Sequence, residues 1–262
     1  MSDWFDQTNA LKAFAQTATT RTVQHGQAAE GKPIANTSFI IAVSGLRHTD
    51  GLDFLKSKAD DKAWDDISDA FADLYKNRVD PANHQWLTNF SKAVDMGHND
   101  TNSQVQEVHI HVLTDGFTPE HEFIGRLRSF HPHPKQGIAQ LFADNKLDVL
   151  GTDIGHGMKS LPLPSEAKEA QEHYAIVNPN YKSFPDFILN ATKEEKRDFW
   201  KAVAKIALPL VESGKGARVG YYNMHGAQDA RHGMMTVEIA GGENLGQNGL
   251  KKRWFDNPSP PK

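Results

Sequence analysis

The sequence predicts an α+β fold made of two tandem copies of one pattern: strand, turn, helix, polar loop, strand. Three observations predict it. The stretch Glu107-Val108-His109-Ile110-His111-Val112-Leu113 alternates polar and β-branched residues. Residues two apart on a strand share a face, so Glu107, His109 and His111 line one side while Val108, Ile110 and Val112 pack on the other. Trp64, Ile67, Phe71 and Leu74 recur at spacings of three and four, the stripe of a core-facing helix. The same order then returns, with a strand at His173-Tyr174-Ala175-Ile176-Val177, a helix striped by Phe199, Val203, Ile206 and Leu210, and closing strands.

Taken in order, residues 1–36 are mixed and polar, with a short helix near Trp4–Thr17. Ser38-Phe39-Ile40-Ile41-Ala42-Val43 is a buried strand, and the turn Ser44-Gly45-Leu46-Arg47-His48 puts a basic pair at its exit. The helix around Trp64 ends at Asp80-Pro81-Ala82-Asn83. Trp86 to Val94 is a strand or short helix, and the turn-rich loop from Gly97 to Ser103 feeds the histidine strand. Between 116 and 172 lie Glu120-His121-Glu122, the run Phe130-His131-Pro132-His133-Pro134-Lys135, and a glycine-rich stretch, Gly151 to Gly157, that lacks the spacing of a phosphate-binding fingerprint and reads as a turn. Thr192-Lys193-Glu194-Glu195 is a capping box opening the second helix, and Gly214 or Gly216 stops it. Ala217 to Tyr222 and Met234 to Ala240 are the last strands. The implied organisation is a first unit over 1–115 carrying the histidine strand, a connecting segment over 116–172, a degenerate second unit over 173–250, and a tail over 251–262. The offset from Phe39 to Tyr174 exceeds that from Leu113 to Ala240, and an extra Pro81–Phe90 segment in the first half accounts for the difference.

Composition narrows the function. A chain of 262 residues that is 38% hydrophobic and 24% charged has ample length for a real core. A net charge of −4, with no long Lys/Arg block, argues against a nucleic-acid surface. The absence of cysteine removes disulfides, thiolate metal sites and cysteine nucleophiles. No basic-then-apolar leader opens the chain and no long apolar run follows, so a cytoplasmic protein without a membrane span is expected.

The chemistry concentrates in the first half. Against Glu107, His109 and His111 the second half offers Met234, Thr236 and Glu238, the pattern of a pseudo-dimer with one working site. A strand with its histidines on a wet face and an HxH metal site are the blander readings of the same residues.

These residues resemble the histidine-triad (HIT) superfamily, whose signature is three histidines alternating with apolar residues on a strand. Glu107-Val108-His109-Ile110-His111-Val112-Leu113 fits with glutamate in place of the first histidine, and Ala42 to His48 is similar to the family's earlier strand and turn. The resemblance covers roughly 38–115 and 172–242, and the two-repeat arrangement resembles the branch of galactose-1-phosphate uridylyltransferases and dinucleoside-polyphosphate phosphorylases. It implies an antiparallel sheet flanked by helices in each repeat, joined as an intramolecular pseudo-dimer. It also implies transfer or hydrolysis of a nucleotidyl or phosphoryl group through a covalent intermediate on His109. Neutral imidazole is the attacking form. His111 would orient it, Glu107 would set its tautomer, and His48 and Arg47 would supply positive charge. Asn99, Ser103 and Gln104 in the loop would bind substrate, with donors for charge developing on the phosphoryl oxygens. His131-Pro132-His133-Pro134-Lys135-Gln136 departs from the uridylyltransferase His-Pro-His-x-Gln spacing and reads as a proline-stiffened loop.

The expected partner is a small phosphate ester or nucleotide, with no nucleic acid and no membrane, and further association of chains is left open. The covalent route requires no cofactor. Two alternatives stand beside it: a divalent-metal enzyme using His109 and His111 with Glu107, His48 or His98, and a diverged HIT-like scaffold that binds a ligand or catalyses a lyase-type reaction.

Overall fold

The computed structural model describes residues 15–16, 20–25, 37–47, 52, 54–58, 61–90, 107–114, 151–163, 171–223 and 233–242. Its strands are β1 (Ala15–Gln16), β2 (Thr20–His25), β3 (Thr37–Arg47), β4 (His84–Phe90), β5 (Glu107–Thr114), β6 (Thr152–Gly155), β7 (Met158–Leu163), β8 (Glu172–Asn178), β9 (Gly216–Asn223) and β10 (Met235–Gly242). The longer helices are α1 (Asp61–Asn77), α2 (Phe184–Asn190) and α3 (Lys193–Glu212), and a π-helical turn spans Phe54–Lys58. All the strands pair antiparallel in one sheet of order β1-β2-β3-β5-β4-β9-β10-β8-β7-β6. The α+β class and the antiparallel pairing therefore match the expectation from sequence.

That order is symmetric about the central β4–β9 pair. On each side, chain order runs hairpin, strand, helix, strand, strand, with the last strand second from the centre. Two elements differ from the sequence reading. The stretch Pro81–Phe90 is no add-on, because His84–Phe90 is β4, bonded to β5 on one side and to β9 on the other. Without it the two halves of the sheet would not meet. The helix expected near Trp4–Thr17 falls largely outside the described residues, but Ala15–Gln16 are strand, paired with Arg21 and Thr22. The β-branched residues Thr20, Thr22 and Val23 favour the strand that templates that hairpin, and sheet pairing overrides a weak helical pattern. The segment 116–172 contributes the β6–β7 hairpin at the sheet's other end.

The helices cover one face of the sheet. Ile41, Trp86, Ile110, Val112, Val219, Val237 and Ile239 point into a single core with Trp64, Phe71, Phe184, Phe199 and Trp200. Local chemistry starts and stops each helix. Ser183 Oγ accepts from the Asp186 N–H at 3.1 Å, and Pro185 sits in the first turn of α2 where its missing N–H costs nothing. The capping box of α3 forms as the sequence requires, with Thr192 Oγ1 accepting from the Glu195 N–H and Glu195 Oε2 from the Thr192 N–H, at 3.2 and 2.8 Å. Gly214, at φ +88°, ends it.

α1 and α3 are tied across the two halves. The Trp64 and Trp200 rings stack at 5.8 Å with a 6° interplanar angle. Trp200 Nε1 donates to Ser68 Oγ at 3.0 Å. Arg197 grips Asp65 with Nε and Nη2 at 2.7 and 2.6 Å. α3 also lies close on β10, where a Cβ on Gly241 would come within 2.8 Å of the Leu210 methyl groups. Among the described residues no helix is long and apolar enough to cross a membrane.

Candidate active site

β5 is positioned by pairing on both sides, to β3 and to β4. Ile110 and Val112, at 4% and 0% exposure, anchor its helix-facing side. That burial fixes the register, because a slip of one residue would put imidazoles into the apolar core. His109 and His111 consequently emerge on the opposite face, as the alternation predicts, and remain buried at 4% and 8%.

The two imidazoles meet edge to face, with ring centroids 4.5 Å apart and an interplanar angle of 78°. Their Nε2 atoms are 2.8 Å apart, a hydrogen bond. One ring must then donate and the other accept, so the pair holds at least one Nε2 lone pair. Behind it, the Thr88 hydroxyl donates to the His109 carbonyl at 2.8 Å and ties β5 to β4. Two nitrogens on one tetrahedral Zn²⁺ at about 2.0 Å each would sit about 3.3 Å apart. The observed spacing is that of a shared proton, and the rings would have to part to ligate a metal together.

Of the other expected residues, Glu107 opens β5 with its Cα opposite Arg47, the last residue of β3, beyond an irregularity after Ala42. The backbone thus brings Glu107 and Arg47 to the end of the strand nearest His109. His48, His98, Asn99, Ser103 and Gln104 lie outside the described residues, as does the run 131–136.

The same face continues into the second half. Directly opposed residues share a face, and the register runs His111–Leu87–Gly220–Glu238–Ala175 across five strands. Glu238 is therefore in row with His111, three strand spacings or about 14 Å away. Glu238 is 2% exposed, and its Oε2 is 3.0 Å from His173 Nε2. Arg218, 1% exposed, lies opposite Asn89 and Ala240 on that face. The sequence reading passed over Arg218 and the His173–Glu238 partnership. The signal for them was a charge inside each of two otherwise apolar strands, where burial requires compensation.

One more histidine is buried on the helix side. His84 Nε2 is 2.9 Å from the Tyr75 hydroxyl, and burial pushes its pKa down to about 3. A neutral imidazole locked in the core is a structural residue.

No protein-family model matches the chain, and no curated protein matches it. Solved structures do. A structure of uridylyltransferase superposes with a TM-score of 0.50 at 12% identity, over 84% of this chain and 69% of that one. An ADP-glucose phosphorylase from Arabidopsis thaliana with bound ADP-glucose gives 0.49 at 9% identity, over 85% and 72% of the two chains. At such identities the first of these establishes a shared fold.

Proposed function

We propose that this chain transfers a nucleotidyl or phosphoryl group, with His109 as the nucleophile that carries the group between two oxygen acceptors. The observation that carries this reading is the His109–His111 contact, two nearly buried imidazoles joined Nε2 to Nε2 at 2.8 Å. A nucleophile within hydrogen-bond reach of its own base is the arrangement covalent catalysis needs.

In the first step neutral His109, with its proton on Nδ1, attacks phosphorus through the Nε2 lone pair, which is unmasked as His111 swings its N–H towards a phosphoryl oxygen. The P–N bond forms, the bond from phosphorus to the leaving oxygen breaks, and the leaving oxygen departs with the electron pair and takes the proton of the His111 N–H. In the second step an acceptor oxygen attacks the same phosphorus, the P–N bond breaks with its electron pair returning to His109 Nε2, and the acceptor's proton passes to His111. Arg47, at the same end of the strand, is the residue assigned to charge on the phosphoryl oxygens. Glu107 stands where the family has its first histidine. The shared uridylyltransferase fold supports the substrate class, a nucleotide or a related phosphate ester.

The two-repeat pseudo-dimer belongs to the same proposal. It is supported by the symmetric strand order and by matching faces: Phe39 and Ile41 point into the core as Tyr174 and Ile176 do, and Ile110 and Val112 as Val237 and Ile239 do. Trp64 and Trp200, at equivalent places on α1 and α3, stack on each other as symmetry-related rings would.

The test is intact-mass measurement after incubation with a panel of nucleotide sugars and dinucleoside polyphosphates. The expected result is one nucleotidyl or phosphoryl increment, absent in His109→Ala and formed more slowly in His111→Ala. An increment that persists in His109→Ala would refute the assignment. No increment with any donor would move the reading to a HIT-like binding scaffold.

A further inference from the structure

We infer a divalent-metal site on the second half of the molecule, formed by His156, Glu194 and Asp198 and suited to Zn²⁺, which pins the edge hairpin of the sheet to α3. It stands apart from β5 and does not depend on the transferase reading. The potential ligand atoms of these three residues all lie within 4.8 Å of one another.

Two elements bring them together. The β6–β7 hairpin turns through Gly155, His156 and Gly157, all left-handed, at φ +94°, +53° and +74°. The flanking glycines make that path accessible, and the one side chain in the turn reaches α3, with His156 Nε2 2.9 Å from Asp198 Oδ2. On α3 the charges are sorted by face. Lys193, Arg197 and Lys201, each four residues from the next, turn to Asp65 and Asp61 on α1. Glu194 and Asp198, also four apart, meet the hairpin instead.

Two carboxylates at that spacing repel and destabilise a helix. His156, even when protonated, supplies one positive charge for two negative ones. A divalent cation bound to a neutral imidazole and both carboxylates balances the charge. One nitrogen and two carboxylate oxygens form a donor set that Zn²⁺ accepts, with its fourth position left to water. Tetrahedral ligation sets the three atoms about 3.3 Å apart, so the wider separations close while the 2.9 Å His156–Asp198 hydrogen bond opens slightly as the ion takes the place of its proton. All three side chains are at least partly exposed and have room to rotate. Among the described residues β6 is the terminal strand, bonded in the sheet only to β7. A metal at its turn would add a second attachment for that edge.

The experiment is a ZnCl₂ titration of the chelator-stripped full chain by calorimetry, with thermal midpoints read in parallel. Wild type is expected to show a saturable zinc equivalent and a rise in midpoint. His156→Gly keeps the left-handed turn, and Asp198→Asn keeps the side-chain volume. Each should weaken that equivalent by about tenfold or more, as loss of a metal-supporting group does, and abolish the midpoint shift. His109→Ala should retain both. The inference is overturned if zinc binding survives His156→Gly and Asp198→Asn, if it disappears in His109→Ala, or if wild type shows no saturable binding.

Discussion

The tie between α1 and α3 makes a quantitative prediction at Asp65. Its side chain is 6% exposed and accepts from Arg197 Nε at 2.7 Å, Arg197 Nη2 at 2.6 Å and Lys193 Nζ at 2.9 Å. Asp65→Asn preserves shape, removes the charge and turns an amide N–H₂ towards a guanidinium that has only donors. Charge-assisted hydrogen bonds are worth about 1.5–3 kcal/mol each, whereas exposed ion pairs give about 0–1. Arg197 is 30% exposed and Lys193 66%, so water recovers part of the first and nearly all of the second. A net loss of about 2 kcal/mol follows, or about 4–8 °C in Tm for a chain of this size. The Arg197 hydrogen bond holds the Asp65 pKa below its ordinary value despite burial, with Lys193 assisting. The Asp65 contribution is therefore complete above the unfolded carboxylate pKa and is lost as pH falls through the depressed folded value. Urea unfolding of wild type and Asp65→Asn at pH 7 should differ by the full amount, and the gap should close in strong acid. A gap under about 0.5 kcal/mol at pH 7, or one that persists unchanged in acid, would refute the reasoning by showing an ordinary surface ion pair.

Other predictions test the site and the core. Thr88→Val, replacing a hydroxyl at 2% exposure that donates to the His109 carbonyl, should cost about 1 kcal/mol in urea unfolding and slow adduct formation on His109. Trp200→Phe removes the indole donor to Ser68 and most of the stack on Trp64; about 2 kcal/mol is expected in the same assay. His84, held neutral in the core with a pKa of about 3 against 6.5 for the free side chain, makes the unfolded state the better proton acceptor between those values. Stability should fall as pH drops below 6.5, by up to about 1.4 kcal/mol per pH unit from this residue. A His84→Asn variant, compared with wild type between pH 7 and 4.5, should show a shallower dependence.

What the sequence made legible was periodic or capped. The alternation at Val108, Ile110 and Val112 set the face of the two imidazoles, and the stripe of Trp64, Ile67, Phe71 and Leu74 set the core side of α1. Thr192 and Glu195 marked the start of α3 to the residue. The role of β4 was hidden, because His84-Gln85-Trp86-Leu87-Thr88 mixes polar and apolar residues on both faces. Both faces of that strand are buried, and His84, Gln85 and Thr88 find their places only once β5 and β9 flank them. Pairing between distant strands leaves little local signal. The same holds for His156 with Asp198 and for His173 with Glu238, whose partners are set by the fold alone.

The proposed duplication, aligned on the row that holds both His111 and Glu238, makes these two residues counterparts and His109 the counterpart of Thr236. All four face away from the helices and all four are buried. The first half satisfies its pair with two imidazoles hydrogen-bonded Nε2 to Nε2. In the second, Glu238 is matched by His173 from the neighbouring strand, and the Thr236 hydroxyl donates back to the Met234 carbonyl at 3.3 Å. A buried carboxylate needs a positive or donating partner whatever the protein does, so Glu238 and His173 stabilise each other without presenting a nucleophile. The asymmetry in chemistry thus arises from side-chain differences at equivalent points of one sheet. On that duplication, a shared backbone would account for a polar cluster in the second half although Thr236 stands at the position matching His109.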